Sequence, residues 1–389
     1  MTAQSLRDHV RNDVQGRRDA LIEMSHRIHA NPETAFNEVR ASGWLTDALG
    51  DAGFTVERGI AGLDTAFRAT AGSGPLHIVI CAEYDALPAI GHACGHNIIA
   101  ASALGAGVAL APLADQLGIT MTVMGTPAEE GGAGKIIMLE RGAFDGAHAA
   151  MMIHPSPTEI VEMPMVAASH FTVRYHGKPA HAAGFPEAGI NAADAMVIAQ
   201  TAIGLRRQQM RPTEKVHGIV TKGGDAPNII PAETEGWFIT RALTADRLAD
   251  FSESIERCFQ AGALATGAKL EIFPTTEPYA HVVHDQIMAD AYARALDEIG
   301  RDYVRRAVDP TSTGGSTDMG NVSLKIPTIH PSIGIDSLPA VNHQPEFAAA
   351  CITPAADRAV VDGATAMALT VIDLATDDNA RAALLGRAG

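Results

Sequence analysis

The first 160 or so residues alternate between short apolar runs and longer amphipathic segments. The runs LHIVIC, ITMTVMG and AHAAMMI are each short enough to form one buried strand. The intervening and preceding segments have the length and apolar spacing of helices, among them RRDALIEMSHRIHA, EVRASGWLTDALGDAG and NIIAASALGAGVALAPLADQLG. Short apolar strands separated by helices predict a mainly parallel sheet covered by helices on both faces.

The middle of the chain has a different order of elements. From about residue 166 the pattern predicts a strand, a helix, two strands, a helix and a final strand, AKLEIFP. This is the order of a split βαβ sandwich of ferredoxin-like type. Helical patterns then return until the end of the chain. We therefore predict an α/β fold in which a discontinuous domain, residues 1–165 and 280–389, receives an inserted α+β domain, residues 166–279.

Composition restricts the class of partner. The chain has 389 residues, 47% hydrophobic and 19% charged, as expected for a globular protein of two domains. Its formal net charge is −16 and no run of Lys or Arg interrupts that balance, so nucleic acid is not an expected partner. The N-terminal segment is polar, and no segment reads as an uninterrupted membrane span. We expect a cytoplasmic protein with no membrane partner.

Ionisable side chains follow the ends of three predicted strands. Glu83 and Asp85 come after the first, Glu129 and Glu130 after the second, and His154 closes the third. In open α/β sheets, functional groups gather beyond the carboxyl ends of the strands. Taken alone, each acid pair could be solvated at the start of a loop, and His154 could be a capped core histidine. Their recurrence at three strand ends predicts a site.

The segment HACGHN adds a thiol to these groups. The four cysteines are scattered without a CxxC pair, which disfavours disulfides and a structural zinc ribbon. Gly95 permits a tight turn that aims Cys94 and His96 at one point. Thiolate, imidazole and carboxylate together suit zinc, and they also accept manganese, cobalt or nickel. The alternative makes Cys94 a nucleophile with His96 or His92 as its base.

Several motifs together resemble the M20 metallopeptidase/amidohydrolase family over essentially the whole chain. They are HRIHANPETAFNEVRAS, CAEYDALPAIGHACGHN, TPAEEGGAGK, MMIHPSP, HGKPAHAAGFPEAGINAADAM and NHQPEF. Within the family, EYDALPAIGHACGHN and STDMGNVS are similar to the p-aminobenzoyl-glutamate hydrolase and M20-domain dipeptidase branch. Aminoacylases and the hippurate and indole-acetyl-amino-acid hydrolases are the near cousins of that branch. The resemblance implies a catalytic domain with two divalent metal ions, zinc or manganese first, and a smaller lid domain that forms a homodimer.

The resemblance also implies roles for individual residues. The metal ligands would be Cys94, as the bridge between the two ions, with His96, Glu130, His154 and His343. Glu129 would be the general base, Asp85 would orient a ligand histidine, and His181 would reach the site of the other subunit to polarise the scissile carbonyl. Asn228 and Arg241 would hold the substrate carboxylate.

Two departures from the family pattern affect these implications. Many members have His-x-Asp where this chain has Glu83-Tyr84-Asp85, so the ligand histidine is expected to be His96. The aminoacylase-like cousins read CGHD where this chain has Asn97, which leaves the role of that position open. Ser316 and Asp318 belong to a Gly/Ser/Thr-rich loop that either connects two elements or lines the substrate pocket.

We therefore expect a metal-dependent hydrolase of an N-acyl amino acid, a p-aminobenzoyl-glutamate-like compound or a dipeptide, each with a free carboxylate. Metal-activated water would attack the amide, and Glu129 would take its proton. Two alternatives belong to other classes. One is the cysteine-nucleophile amidase, in which the carboxylates at the strand ends have no task. The other is a non-catalytic binding protein that keeps the fold, for which loss of Glu129 or of a ligand would be the sign.

Overall fold

The computed structural model describes residues 2–307 and 315–387, which divide into two compact units. The first comprises residues 2–164, 282–307 and 318–387, and the second comprises residues 165–281 and 315–317. Residues 315–317 thus group with the second unit, whereas the sequence pattern assigns 280–389 wholly to the first domain.

The described residues form α-helices and β-strands that we number in chain order. The helices are α1 Ala3–Gly16, α2 Arg18–His29, α3 Val39–Asp51, α4 His96–Leu110, α5 Ala114–Leu117, α6 Gly134–Glu140, α7 Ala192–Arg206, α8 Ala245–Thr266, α9 Gln286–Ile299, α10 Met319–Ser323, α11 Pro345–Ala350, α12 Pro354–Thr376 and α13 Asp378–Leu385. The strands are β1 Thr55–Arg58, β2 Phe67–Ala71, β3 Leu76–Ala82, β4 Ile119–Gly125, β5 Ala149–Met151, β6 His154–Ser156, β7 Ile160–Glu162, β8 Ala167–His176, β9 Lys215–Lys222, β10 Glu233–Ala242, β11 Lys269–Pro274, β12 Val304–Arg306, β13 Thr328–Ile329 and β14 Ser332–Gly334.

The main sheet of the first unit has the order β1-β2-β4-β3-β5-β13. The pairs β4–β3, β3–β5 and β5–β13 are parallel, and β1–β2 and β2–β4 are antiparallel. Strand β3 is buried on both faces. Ile78 and Ile80 pack in one apolar cluster and Val79 and Cys81 in another, because alternate side chains point to opposite faces. This confirms the predicted, mainly parallel and doubly covered sheet.

Helix α4 lies at the centre of the first unit. Every residue from His96 to Leu110 is buried, and the helix packs against α12, α2, α1 and strand β3. Gly105 is needed where an added Cβ would lie 2.8 Å from Leu21 and 2.9 Å from Ala364. The buried helix therefore fixes its first residue, His96, relative to the sheet.

The strand ends lie where the apolar pattern predicts them, with one correction. Strands β3 and β4 are parallel, so the residues after Ala82 and Gly125 emerge at the same edge. The predicted third strand is two short ones. β5 ends at Met151, and His154 begins β6, which pairs with β14 in a separate four-stranded sheet.

The second unit is an antiparallel sheet with the order β11-β8-β10-β9. Helices α7 and α8 pack on one face of it over a core that includes Phe171, Val173, Tyr175, Phe238 and Phe259. The chain order β8-α7-β9-β10-α8-β11 is the predicted ferredoxin-like arrangement.

Two stretches of the described residues, His96–Leu117 and Pro354–Thr376, are long and apolar enough to cross a membrane by length and composition, although the sequence analysis identifies no such span. They are 89% and 83% buried inside the protein, as core helices of a globular protein are. The cytoplasmic location stays a prediction.

Candidate metal centre

Cys94 and His96 come together because the chain turns sharply between them. Gly95 has φ 75°, in the left-handed region, and directly precedes the first residue of α4. A Cβ at this position would lie 2.7 Å from Pro155 and 3.1 Å from the Sγ of Cys351. Glycine is therefore required by both the backbone conformation and the space.

The His96 ring is oriented by Asp85. Its Nδ1 hydrogen-bonds to Asp85 Oδ1 at 3.0 Å, while the other oxygen of Asp85 accepts from the backbone N–H of Glu130 at 2.9 Å. Burial lowers the pKa of His96, but Asp85 and then Glu83 and Glu130 outweigh it and raise the pKa to about 10. The Nε2 atom is buried and has no hydrogen-bond partner among the described residues.

His154 is oriented in a similar way by its own neighbour. Its Nδ1 lies 2.8 Å from the carbonyl oxygen of Pro155, so Nδ1 carries the proton and Nε2 keeps its lone pair. The His154 and His96 rings lie edge to face, with centroids 5.8 Å apart. Both histidines thus present the nitrogen that a metal ion would bind.

His343 reaches the same site from the loop before α11. It has φ 69°, and its backbone N–H donates to the carbonyl of Ala93 at 2.9 Å, which places it beside Cys94. Its Nε2 lies 3.7 Å from Glu130 Oε2. The side chain is 61% exposed, whereas that of Glu130 is 10% exposed, so His343 lies at the open side of the cluster.

These residues form two ligand groups with one member in common. The ligand atoms of Cys94, His96 and His154 lie within 4.8 Å of one another, and those of Cys94, Glu130 and His343 do so as well. A third group, Glu83, His96 and Glu129, meets the same condition and shares His96 with the first. Among the described residues, His96 Nε2 and Glu130 Oε1 are buried without a hydrogen-bond partner, and they are 3.8 Å apart. Buried polar atoms without partners are rare in folded proteins. The donor set therefore fits a pair of divalent cations that share a thiolate ligand.

The acids Glu129 and Glu130 follow β4 in a tight loop. Ala128 and Ala133 have φ 61° and 54°, and the backbone N–H of Gly132 donates to the carbonyl of Ala128 at 3.0 Å. Glu129 is 7% exposed. Burial, and then the charges of Glu83 and Glu130, hold the pKa of Glu129 well above its usual range. A positive charge close to Glu129 would stabilise its ionised form and lower this pKa again.

Glu38, which no sequence pattern marks as a site residue, holds the loop of Glu129 and Glu130 in place. It is fully buried, and its carboxylate accepts hydrogen bonds from the backbone N–H groups of Ala128 and Phe36, both at 2.9 Å, and from Thr65 Oγ1 at 2.8 Å. Burial raises the pKa of Glu38 to about 7 despite these donors. Its only sequence signal is an acid within NEVRAS, which also reads as a solvated acid before a helix.

Asp318 does not have the surroundings that the predicted substrate-binding role needs. It is fully buried, and its two oxygens accept from Nζ and from the backbone N–H of Lys135, both at 2.8 Å. Lys135 is also fully buried and donates its second contact to Glu83. The carboxylate of Asp318 therefore neutralises a buried lysine, and nothing in this geometry offers it to a substrate.

Arg241 and Ser316 are in contact within the second unit. Arg241 Nη1 donates to Ser316 Oγ at 2.7 Å, and its Nε lies 3.4 Å from His217 Nε2. Burial lowers the pKa of Arg241. No carboxylate of the described residues forms an ion pair with the Arg241 guanidinium. The guanidinium can therefore bind the carboxylate of an external ligand.

His181 and Asn228 are also neighbours in the second unit. His181 bridges to Ile229, and the backbone N–H of Ala182 donates to the carbonyl of Asn228 at 3.0 Å. Nδ1 of His181 accepts from the backbone N–H of Gly184 at 3.0 Å, so the ring proton of the neutral form lies on Nε2. Both side chains are exposed.

The surroundings of Cys94 do not activate it as a nucleophile. Burial and then Glu130, which also hydrogen-bonds to it, hold the pKa of the thiol well above its usual value. His92, one of its two candidate bases, stacks on His29 with ring centroids 6.0 Å apart, and burial lowers its pKa to about 3. The other, His96, is bonded to Asp85. Because a nucleophilic cysteine acts as its thiolate, the raised pKa of the Cys94 thiol argues against the cysteine-nucleophile alternative.

Comparison with known proteins agrees with this geometry. The model of Peptidase family M20/M25/M40 matches residues 79–366. The chain is 40% identical over 372 residues to Xaa-Arg dipeptidase of Mus musculus, covering 92% of this chain and 86% of that protein. It is 30% identical over 279 residues to one of the subunits of the p-aminobenzoyl-glutamate hydrolase of Escherichia coli (strain K12), covering 66% of this chain and 58% of that protein.

A solved structure has the same fold. The Bacillus subtilis YXEP protein, described as a dinuclear metal-binding peptidase from the M20 family, superposes with a TM-score of 0.70 at 23% identity. The match covers 92% of this chain and 99% of that one. The family match spans the strand ends and the HACGHN turn. The chain belongs to peptidase family M20/M25/M40 and is a hydrolase that acts on amide bonds.

Proposed function

We propose that this hydrolase is metal-dependent and cleaves the amide bond of a small substrate with a free carboxylate, a dipeptide first among the candidates. The observation that carries the proposal is the pair of ligand groups that share Cys94. Their donors are a thiol, imidazoles and a carboxylate, and their unpartnered atoms face one another in the protein interior. Such a set is costly to bury unless cations occupy it.

The two groups define which residues would hold each cation. One ion would be bound by Cys94, His96 and His154, and the other by Cys94, Glu130 and His343. Zinc and manganese suit this mixture best, and cobalt and nickel are also acceptable. Bound divalent cations polarise a carbonyl oxygen and lower the pKa of water.

Glu129 is the proposed general base. It lies next to Glu130 in the loop that Glu38 holds, and its carboxylate lies within 4.8 Å of the ligand atoms of His96 and Glu83, outside the two groups that share Cys94. In this role Glu129 accepts a proton from the attacking water and returns it to the leaving nitrogen. Asp85 acts through His96, which it keeps in the tautomer with a bare Nε2.

His181 is the proposed hydrogen-bond donor to the developing oxyanion. Its Nδ1 is occupied by two backbone N–H groups, those of Ala183 and Gly184, so its Nε2–H is available as a donor. That His181 serves the site of a partner subunit is a proposal that rests on the family resemblance.

A homodimer through the second unit is part of the same proposal. The edge strand β9 exposes Ile219 and Val220, and helix α7 exposes Val197 and Leu205. An edge strand with apolar side chains that stays unpaired favours aggregation, so a second copy of this chain is the expected cover. Light scattering measures the molar mass of wild-type protein and of Ile219→Lys. We expect a dimeric wild type and a monomeric variant.

Arg241, Ser316 and Asn228 are the proposed binding groups for the substrate carboxylate. Arg241 has no carboxylate partner among the described residues and already donates to Ser316 Oγ, so it can bind an external carboxylate through its remaining N–H groups. Asp318 is removed from this set because Lys135 occupies its oxygens.

A dipeptide with a cationic C-terminal residue is the preferred substrate class. The most extensive of the similarities described above is to a protein named Xaa-Arg dipeptidase. The formal net charge of −16 also attracts a cationic substrate and repels p-aminobenzoyl-glutamate, which carries two carboxylates. p-Aminobenzoyl-glutamate and N-acyl amino acids remain the second candidates.

A substrate panel tests the proposal. It contains Ala-Arg and β-alanyl-lysine dipeptides, p-aminobenzoyl-glutamate, and N-acetyl and N-benzoyl amino acids, assayed with wild-type protein and Glu129→Gln. We expect the highest kcat/KM for the cationic dipeptides and a kcat reduced by about 10²–10⁴-fold in Glu129→Gln. Equal turnover by Glu129→Gln and wild-type protein would contradict the assigned base.

A further inference from the structure

One carboxylate oxygen of Glu83 accepts a hydrogen bond, and the other has no hydrogen-bond partner among the described residues. The first, Oε1, accepts from the ammonium group of Lys135, which Asp318 holds from the other side at 2.8 Å. All three side chains are fully buried. Because Lys135 is held by two acids, it fixes the plane of the Glu83 carboxylate, and with it the direction of the second oxygen.

That second oxygen, Oε2, points at His96. It is buried, it has no hydrogen-bond partner among the residues that the structure describes, and it lies 3.5 Å from His96 Nε2, which is equally unpartnered. An ion binds the deprotonated Nε2 of His96 and the ring proton then stays on the Nδ1 that faces Asp85, so the two atoms present lone pairs to the same space. Such an arrangement is unfavourable unless something positive lies between them.

The separation is the one expected for two ligands of the same ion. A zinc ion about 2.0–2.2 Å from both atoms, with a tetrahedral angle between them, puts them about 3.4 Å apart. A direct hydrogen bond from a protonated ring would be shorter, near 2.8 Å, for a charged pair of this kind (~2.7–2.9 Å). The ligand atoms of Glu83, His96 and Glu129 also lie within 4.8 Å of one another.

We propose that Glu83 is a further metal ligand, at the cation that His96 binds. The inference rests on the proposed metal-dependent function and adds a ligand that the sequence analysis leaves out. It gives this cation a second anionic ligand beside the thiolate, so that a divalent ion is neutralised. A carboxylate oxygen is a hard ligand, and it moves the preference of this site from zinc towards manganese and cobalt.

The test is metal binding by Glu83→Gln, with Asp318→Asn as the matched control. The ammonium group of Lys135 only donates hydrogen bonds, so it keeps the amide oxygen of the new glutamine as its partner. The amide NH₂ then takes the place of Oε2 in front of His96, where it cannot bind a cation. Asp318→Asn likewise replaces one of the two carboxylates that hold Lys135, and it leaves the Glu83 carboxylate in place.

Metal-free proteins are titrated with zinc against a chromogenic chelator, and the absorption spectra of their cobalt forms are recorded. We expect Glu83→Gln to lose affinity for one of two ions by about tenfold or more, with an altered cobalt spectrum. Asp318→Asn should bind both ions as the wild type does. Unchanged binding by Glu83→Gln, or an equal loss in Asp318→Asn, would overturn the assignment.

A second measurement uses the wild-type protein and does not depend on how the variants fold. In a crystal structure of the zinc-loaded enzyme, Oε2 of Glu83 should lie about 2.0–2.2 Å from one ion. A separation beyond about 3 Å would overturn the inference while leaving the metal-dependent function intact. Wild-type protein that binds no ion at all would instead refute the proposed function, and the inference with it.

Discussion

Asp85 and His96 are joined by a hydrogen bond of 3.0 Å in a fully buried environment, and the second oxygen of the same carboxylate holds the backbone of Glu130 at 2.9 Å. One acid thus orients two of the candidate metal ligands. The first prediction follows from this double role.

Asp85→Asn should weaken metal binding without unfolding the protein. The amide of asparagine offers a donor to one of its two partners, and when the donor faces His96 the ring proton moves from Nδ1 to Nε2, where it blocks the metal. Loss of such an orienting group costs about 10–100-fold in metal affinity or activity. Calorimetric titration of the metal-free variant with zinc measures it, and an affinity equal to the wild type would contradict the role of Asp85.

Gly134→Ala should destabilise the loop that carries Glu129 and Glu130. A Cβ at Gly134 would lie 1.8 Å from the carbonyl oxygen of Pro127, so the backbone must move. We expect a loss of about 1–3 kcal/mol in the free energy of unfolding. The control is Gly131→Ala in the same loop, where no atom lies within 4 Å of the added Cβ. Equal melting temperatures of the two variants would refute the packing described here.

Asn97→Asp should lower stability although related proteins carry aspartate at this position. The Asn97 amide group donates to Ser25 Oγ at 2.8 Å and to the carbonyl oxygen of Cys351 at 3.2 Å, and the side chain is fully buried. An aspartate would face that carbonyl with an oxygen. The expected cost is about 3 kcal/mol.

The exposed Asn379 provides the matched control, since Asn379→Asp changes charge without a buried partner. Denaturant unfolding of both variants measures the difference. If Asn97→Asp is as stable as Asn379→Asp, the hydrogen bond to Cys351 does not explain the asparagine.

Arg241→Met should raise KM for a dipeptide with a free carboxylate and leave the C-terminally amidated dipeptide nearly unaffected. A hydrogen-bonded charge pair contributes about 1.5–3 kcal/mol, or about 10–100-fold in KM. Arg174 lies on the same sheet but is paired with Glu235, so Arg174→Met is the control. A rise in KM of equal size for acid and amide substrates would exclude carboxylate binding.

Most of the fold and the convergence of the ligands are predictable from local pattern. Short apolar runs predict the strands, and the parallel pair β3–β4 brings Asp85 and Glu130 to one edge because parallel strands end on the same side. The turn at Gly95 is predictable for a related reason, since only glycine suits its backbone.

The buried ion cluster is not predictable in this way. Lys135 is 52 residues from Glu83 and 183 from Asp318 along the chain, so no local pattern shows that the three charges meet. The sequence pattern therefore leaves Asp318 either in a connecting loop or in the lining of the substrate pocket, and it does not mark Glu83 as a ligand. The role of Glu38 is not predictable either, because its three hydrogen-bond donors come from different segments of the chain.

The most direct test of metal dependence is removal and return of the metal. Wild-type protein is stripped with a chelator, its metal content is measured, and its activity on the preferred dipeptide is followed as zinc, manganese or cobalt is added back. We expect activity to disappear with the metal and to return as two ions bind per chain. Full activity in protein shown to be free of metal would contradict metal dependence.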